Sequence, residues 1–96
     1  MSRAKRIFCV IAYDIQDDRM RAKVSKLLEK NGYRINYSVF ECMLTEKQYN
    51  MLQKQIESKI DAKEDTVVYY PICVDCFAKI MYQPRRQSAA RVVNIV

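Results

Sequence analysis

The sequence contains no histidine and no apolar run long enough to cross a bilayer. Without histidine, imidazole general-base catalysis and histidine-ligated transition metals are excluded, so any acid–base or metal chemistry must rely on carboxylates. The apolar run Ile7–Tyr13 is far too short for a membrane span and is followed at once by charge. Because no secretion signal is present, we expect a cytoplasmic protein whose four cysteines are reduced.

Length and charge narrow the class of protein further. A chain of 96 residues makes one small domain around a single core. Its 17 lysines and arginines against 11 acidic residues give a formal net charge of +6. A basic excess favours polyanionic partners, nucleic acid first among them, although a solvated basic surface is the ordinary alternative.

The most informative local feature is the run Ile7–Tyr13 together with the aspartate that ends it. Seven residues rich in β-branched and aromatic side chains, followed directly by helix-start residues, predict a buried strand. Asp14 is then a carboxylate at the terminus of that strand. It either takes part in chemistry or caps the following turn, as aspartates at strand ends often do.

The rest of the chain divides into further predicted elements with clear local signals. Apolar spacing predicts one helix that ends at the pair Asn31-Gly32, and the capping-box pair Thr45 and Gln48 opens a second. The predicted elements are a helix Asp17–Asn31, a strand Arg34–Leu44, a helix from Thr45 to near Asp61, a strand Thr66–Cys73, a turn Cys73–Cys76, a strand around Ala78–Tyr82, a polar loop Gln83–Arg91 and a strand Val92–Val96.

We read this order as βαββαβ, the α+β order of a ferredoxin-like antiparallel sheet with both helices on one face. The predicted strands are apolar on both faces, whereas two helices cover only one. The uncovered face therefore predicts a homodimer. The single domain spans residues 1–96, and its segment 83–96 is a linker and strand that pairs either with its own sheet or with that of the partner subunit.

Two further motifs carry specific chemistry. On an ideal helix four basic residues of the first predicted helix fall within an arc of roughly 60° beside the apolar face: Arg19, Lys23, Lys26 and Lys30. This basic stripe either binds the phosphate backbone of a duplex or is an ordinary solvated helix face. The pair Cys73-x-x-Cys76 supplies only two of the four ligands that zinc needs. We expect these two cysteines to pack in the turn.

Several blocks of the sequence resemble the CRISPR-associated Cas2 family, the smaller of the two core CRISPR adaptation proteins. The resemblance covers about residue 6 to about residue 80 and is carried by four blocks: Tyr13-Asp14-Ile15, Asp17-Asp18-Arg19-Met20-Arg21, the stretch from Gly32 to Cys42 that includes Ser38-Val39-Phe40-Glu41, and Asp65 before Tyr69-Tyr70-Pro71. It implies a ferredoxin-like homodimer that joins a Cas1 integrase in capturing spacers. Members of the family are described as metal-dependent endoribonucleases or endodeoxyribonucleases.

The same resemblance implies roles for individual residues. Asp14 from each of two subunits would share one Mg²⁺, or Mn²⁺, that polarises the phosphodiester. Tyr13 and Phe40 would shape the site or stack, and Arg21 and Arg34 would hold phosphate; the ordinary alternatives are core and surface roles. A further basic position of the family pattern is filled by Lys23, a point charge that cannot form a bidentate fork.

The sequence alone is therefore compatible with three functions. The first is a metal-dependent endonuclease acting on RNA or DNA. The second is a non-catalytic scaffold that binds a DNA duplex and bridges integrase subunits. The third is a toxin-like ribonuclease of the same fold, which needs no integrase partner.

Overall fold

The computed structural model describes residues 5–84. Within them the chain forms four strands and three helices, here named in chain order: β1 (Arg6–Asp14), α1 (Asp18–Asn31), β2 (Gly32–Asn36), β3 (Val39–Thr45), α2 (Glu46–Glu57), β4 (Thr66–Ile72) and α3 (Val74–Ala78). The strands form one antiparallel sheet in the order β2-β3-β1-β4. This topology confirms the ferredoxin-like βαββαβ prediction.

One face of the sheet carries the hydrophobic core. Cys9, Ile11 and Tyr13 of β1 alternate with residues that point to the other face, because side chains in a strand alternate with a period of two. Direct pairing places Phe40 opposite Ile11 and therefore on the same face. The helices α1 and α2 close this core with four buried side chains: Val24, Leu28, Leu52 and Ile56. No helix within residues 5–84 is long and apolar enough to span a membrane.

Helix α1 begins where the sequence predicts, at the N-cap Asp17, whose side chain accepts a hydrogen bond from the Met20 N–H. It also ends where the sequence predicts, at Asn31 with Gly32 as the C-cap residue; Gly32 has extended backbone (φ −172°) and is at the same time the first residue of β2. Gly32 is needed there for close approach: a Cβ would collide with the Glu41 carbonyl oxygen and lie 2.5 Å from the Cys42 Sγ. Asn31 donates its side-chain amide to the Leu27 carbonyl at 2.8 Å.

The predicted single strand Arg34–Leu44 is wrong, because the chain turns back at residues 37–38 and forms the hairpin β2–β3. The Asn36 side chain accepts from the Tyr37 N–H at 2.6 Å, a local bond that competes with the strand ladder. The turn supplies the second adjacent strand that the βαββαβ order requires.

Helix α2 has the predicted capping box, in which the Thr45 hydroxyl accepts from the Gln48 N–H and the Gln48 side chain accepts from the Thr45 N–H. The helix ends at Glu57, one turn before the predicted Asp61, where a hydrogen-bonded turn leads into β4. Strand β4 occupies the predicted position.

The segment after β4 departs from prediction. The expected turn Cys73–Cys76 is the start of the short helix α3, and both cysteines are exposed, so the expected packing in the turn is wrong. No strand forms around Ala78–Tyr82. The predicted last strand Val92–Val96, and the loop before it from residue 85, lie outside the described residues.

The second face of the sheet is partly covered, by α3. The Phe77 ring packs on the buried Phe8 at a centroid distance of 4.7 Å. Glu41 is buried on this face, and one carboxylate oxygen accepts from the Tyr82 hydroxyl at 2.5 Å. Tyr70, which pairs directly with Val10, is half exposed there. The face that was expected to be uncovered is therefore partly covered by this third helix, and Tyr70 remains half exposed on it.

Candidate active site at the end of the first strand

A surface cavity of about 560 Å³ lies where β1 ends, between the first half of α1 and the tip of the β2–β3 hairpin. Ten residues line it: Tyr13, Asp14, Ile15, Asp18, Arg21, Ala22, Ser25, Arg34, Tyr37 and Ser38. Four of the five predicted catalytic residues are among them. Residues from three separate elements thus converge on the aspartate that the sequence singled out.

Asp14 is the last residue of β1 and its side chain is exposed in the cavity wall. One carboxylate oxygen accepts from the Gln16 side-chain amide at 3.3 Å. The capping of the following helix falls to Asp17 instead. Asp14 therefore does not act as the N-cap of α1, and its carboxylate faces solvent in the cavity wall.

Tyr13 and Arg34 meet at one acceptor, the main-chain carbonyl of Tyr37. The Tyr13 hydroxyl donates to this oxygen at 3.2 Å, and the Arg34 Nη1 donates to it at 2.6 Å. The Tyr13 N–H also donates to the Ser38 carbonyl at 3.0 Å. These bonds fasten the hairpin tip beside the end of β1, so they determine the shape of the cavity.

The two arginines of the site already have acidic partners. Arg21 donates through Nη1 to the Ile15 carbonyl at 2.7 Å and pairs through Nη2 with Asp18. Arg34 donates through Nη2 to the Ser25 hydroxyl and to Glu29, the latter at 3.1 Å. The arginine side chains are 43% and 40% exposed. Because exposed ion pairs contribute little stability, a phosphate can compete with both carboxylates for these guanidinium groups.

Phe40 does not line the cavity but lies beneath it, fully buried. Its ring is near-parallel to that of Tyr13, at a centroid distance of 6.3 Å and an interplanar angle of 21°. The Arg34 guanidinium carbon lies 4.8 Å from the Phe40 ring centroid, a cation–π distance. Phe40 therefore supports two of the residues that form the wall.

A second connection holds the loop after β1. The Asp65 carboxylate accepts from the Gln16 N–H at 2.9 Å and from the Asp61 N–H at 2.8 Å. Both bonds lower the pKa of Asp65 below its ordinary value, and the bond from the Asp61 N–H has the larger effect. Because the ionised form is the acceptor, this bridge between the two loops is present at neutral pH and is lost as the pH falls through the lowered pKa.

The basic stripe of Arg19, Lys23, Lys26 and Lys30 is exposed on α1, and none of its members forms an ion pair within residues 5–84. The cavity residues of the same helix are Asp18, Arg21, Ala22 and Ser25. At about 100° per residue these two sets lie on opposite flanks of the buried face. The stripe and the cavity therefore occupy different sides of α1 and share no residue, and they adjoin where Ala22 lies next to Lys26.

The cavity contains one carboxylate without an arginine partner. No group of three or more histidine, cysteine, aspartate or glutamate side chains in residues 5–84 is arranged to hold a metal ion. The carboxylate nearest in the lining, Asp18, is paired with Arg21. A single chain therefore presents Asp14 as an isolated oxygen ligand.

Sequence reasoning missed the contribution of the hairpin tip. Tyr37 supplies the shared carbonyl, and its side chain is 90% exposed at the cavity wall. Ser25 and Glu29, which orient Arg34, were also missed. The signal for the turn was Asn36 and Ser38, since asparagine and serine are turn formers that bond to nearby backbone.

Comparison with known sequences finds similar proteins that all carry one family description. The family model described as CRISPR associated protein Cas2 matches residues 7–80. A CRISPR-associated endoribonuclease Cas2 of Synechocystis sp. is 49% identical over 63 residues, which are 66% of this chain and 68% of that protein. A CRISPR-associated endoribonuclease Cas2 of Thermus thermophilus is 42% identical over 66 residues, covering 69% and 70% of the two chains.

Solved structures agree with the sequence relatives. A chain of a partial Cas6-RT-Cas1–Cas2 complex superimposes with a TM-score of 0.72 at 30% identity, covering 86% of this chain and 91% of that one. The Streptococcus pyogenes Cas2 structure matches in fold, with a TM-score of 0.70 at 22% identity over 78% and 96% of the chains.

Proposed function

This chain belongs to the CRISPR-associated Cas2 family, and from that membership we propose that it acts in CRISPR adaptation beside a Cas1 integrase, as a nucleic-acid-binding protein that cleaves phosphodiester bonds. Relatives named endoribonuclease and endonuclease support the hydrolase activity. The similar chain from a complex that contains Cas1 supports the partner.

The observation that carries the nuclease proposal is the cavity at Asp14. An exposed carboxylate, two arginines with exchangeable partners and a hydroxyl-bearing wall meet in one concave surface of about 560 Å³. Carboxylate oxygens are ligands for hard cations, and guanidinium groups bind phosphate. Substrate RNA or DNA would place a phosphate between these groups.

A magnesium ion is the proposed cofactor, and the donor chemistry fits it in part. Asp14 is an exposed oxygen ligand, and Mg²⁺ keeps several waters and needs only one or two carboxylates. One chain offers one free carboxylate in the cavity, so we propose that Asp14 of a second copy supplies the other. When bound, such an ion, Mg²⁺ or Mn²⁺, polarises the phosphodiester and lowers the pKa of an attacking water.

The residues of this chain then have separate tasks. Arg21 and Arg34 exchange Asp18 and Glu29 for phosphate oxygens and so orient the scissile group. Tyr13 holds the hairpin tip through the Tyr37 carbonyl. Phe40 supports Tyr13 and Arg34 from below, which makes it a positioning residue.

A homodimer is the assembly that this proposal needs. The sheet face opposite α1 and α2 is only partly covered by α3, and Tyr70 on it is half exposed. We expect sedimentation at micromolar concentration to report twice the mass of one chain. A monomer under these conditions would contradict both the dimer and the shared ion.

Duplex binding is proposed to follow the basic stripe on α1. The combined variant Lys23→Glu, Lys26→Glu and Lys30→Glu is expected to weaken binding to a DNA duplex, because the attraction of cationic side chains to phosphates dominates sequence-independent affinity. The slope of log affinity against log salt should become shallower by about 0.9 for each phosphate that the variant no longer neutralises. Binding is measured by fluorescence anisotropy over a salt series.

The matched control reverses three exposed lysines outside the stripe: Lys47, Lys54 and Lys63. Both variants change the net charge equally. A difference between them in duplex affinity would therefore come from the position of the stripe and not from net charge. Equal loss of affinity in the two variants would show that net charge alone governs binding. Unchanged binding in the stripe variant would move the nucleic-acid surface elsewhere, with Arg85, Arg86 and Arg91, outside the described residues, as the next candidates.

A second candidate function is a non-catalytic DNA-binding scaffold of the integrase complex. It is favoured by the separation of the stripe from the cavity on α1, because duplex binding then needs no residue of the cavity. Under this function the dimer and its basic surface carry the biological task.

A further inference from the structure

Two exposed cysteines lie together at the start of α3. Cys73 is the N-cap residue of this helix, and its sulfur accepts a hydrogen bond from the Cys76 N–H at 3.4 Å. Both are free thiols. The Cys76 thiol also forms a hydrogen bond to the Cys73 side chain, so the two sulfurs are neighbours.

The other two cysteines of the chain provide a contrast within the same molecule. Cys9 and Cys42 are direct cross-strand partners of β1 and β3, and both are fully buried. Burial raises the pKa of Cys9 to about 11 and that of Cys42 to about 12. These thiols therefore remain protonated and shielded, and behave as small core side chains.

The exposed pair is electrostatically asymmetric. The pKa of Cys73 is lowered, first by the hydrogen bond from the Cys76 backbone N–H and then by one from the Cys76 thiol. The pKa of Cys76 is raised, because its thiol donates to Cys73 and the Cys73 thiolate opposes a second negative charge. Such an asymmetry separates a nucleophilic thiol from a resolving one.

We propose that Cys73 and Cys76 are a redox-active dithiol, which low-molecular-weight disulfides of the glutathione class oxidise to an intramolecular disulfide. Neither residue lines the Asp14 cavity, so the pair is a site distinct from the proposed nuclease centre. Both side chains are exposed to such a reagent.

The reaction balances as two exchange steps. The Cys73 thiolate attacks one sulfur of the oxidised reagent, an S–S bond forms between them, and the first reagent thiolate leaves. Cys76 then loses its proton to solvent, its thiolate attacks the Cys73 sulfur, and the second reagent thiolate leaves. The protein loses two electrons and two protons, and the reagent disulfide becomes two thiols.

The position of the pair gives its oxidation a structural consequence. The disulfide would close the first turn of α3, whose Phe77 packs on Phe8 of β1. This helix covers part of the second face of the sheet. The redox state of the pair therefore acts on the segment that contacts this face, away from α1 and its basic stripe.

The test uses the full reduced chain in glutathione buffers that range from reduced to oxidised, with a chelator present. Samples are quenched with acid, alkylated, digested and analysed by mass spectrometry. We expect a species lighter by about 2 Da, since two thiol hydrogens leave, with the link mapped to the peptide that contains Cys73 and Cys76. Cys9 and Cys42 should be alkylated only after unfolding.

Two single variants make the assignment falsifiable. Cys76→Ser should stop at a stable mixed disulfide on Cys73, because the resolving thiol is gone. At neutral pH iodoacetamide should modify Cys73 in this variant faster than Cys76 in Cys73→Ser, because the Cys76 backbone N–H still stabilises the Cys73 thiolate. A pair that stays reduced, that cross-links two chains, or that reacts equally at both positions would overturn the proposal.

Discussion

Asp14→Asn is expected to lower phosphodiester cleavage by orders of magnitude. The substitution keeps the shape and hydrogen-bonding capacity of the side chain but removes the charge that would hold Mg²⁺, and a metal of this kind supplies several kcal/mol of transition-state stabilisation. Asp14 is exposed at the end of β1, so the fold should be unaffected. Cleavage of labelled RNA and DNA with Mg²⁺, with Mn²⁺ and with chelator measures the effect.

The control for this variant is Asp75→Asn, which makes the same chemical change at an exposed aspartate of α3 outside the cavity. It should cleave as the unaltered chain does. Sedimentation and duplex affinity should be the same in both variants. Cleavage that persists in Asp14→Asn, or in chelator, would contradict a carboxylate and metal mechanism.

The same variant separates the nuclease from the scaffold in a cell. Spacer acquisition that disappears together with cleavage would make the chemistry at Asp14 part of the biological task. We expect acquisition to persist when cleavage is lost, because the basic stripe of α1 that we propose binds duplex shares no residue with the Asp14 cavity.

Phe40→Ala is expected to destabilise the chain by about 3–5 kcal/mol, the usual cost of removing a fully buried phenylalanine. The ring projects from β3 into the core, near-parallel to the Tyr13 ring and close to the Arg34 guanidinium. Its removal leaves a cavity and takes away the support of two residues of the site wall. Urea unfolding followed by circular dichroism measures the change in the free energy of unfolding.

The control for Phe40 is Phe40→Leu, which keeps more of the buried apolar volume and should cost less. Leucine lacks the ring that lies near-parallel to Tyr13 and close to the Arg34 guanidinium, so the folded leucine variant should cleave more slowly than the unaltered chain. A folded Phe40→Leu protein that cleaves at the rate of the unaltered chain would contradict the positioning role.

The features of this fold that were predicted correctly from the sequence are those that depend on residues close together in the chain. The strand ending at Asp14, the start of α1 near Asp17 and the capping box of Thr45 and Gln48 each depend on residues within a few positions of one another. Apolar spacing on α1 and α2 identified the residues that face the core. The pattern Arg34–Leu44 was misleading because its apolar residues continue through the turn at residues 37–38, so the turn signals Asn36 and Ser38 were outweighed.

The sequence by itself predicted the first strand, the helices α1 and α2, the position of β4 and the carboxylate at the end of β1, whereas the division of residues 34–44 between β2 and β3 came from the tertiary structure. Only the tertiary structure decided that Tyr13, Asp14, Arg21 and Arg34 share one cavity, because these residues come from three elements that meet only when the sheet forms. It also decided that Phe40 lies beneath that cavity and that Cys73 and Cys76 are exposed. Residue types and spacing specify periodic local structure, whereas distances between remote side chains follow from strand pairing and helix packing, which no short stretch of sequence contains.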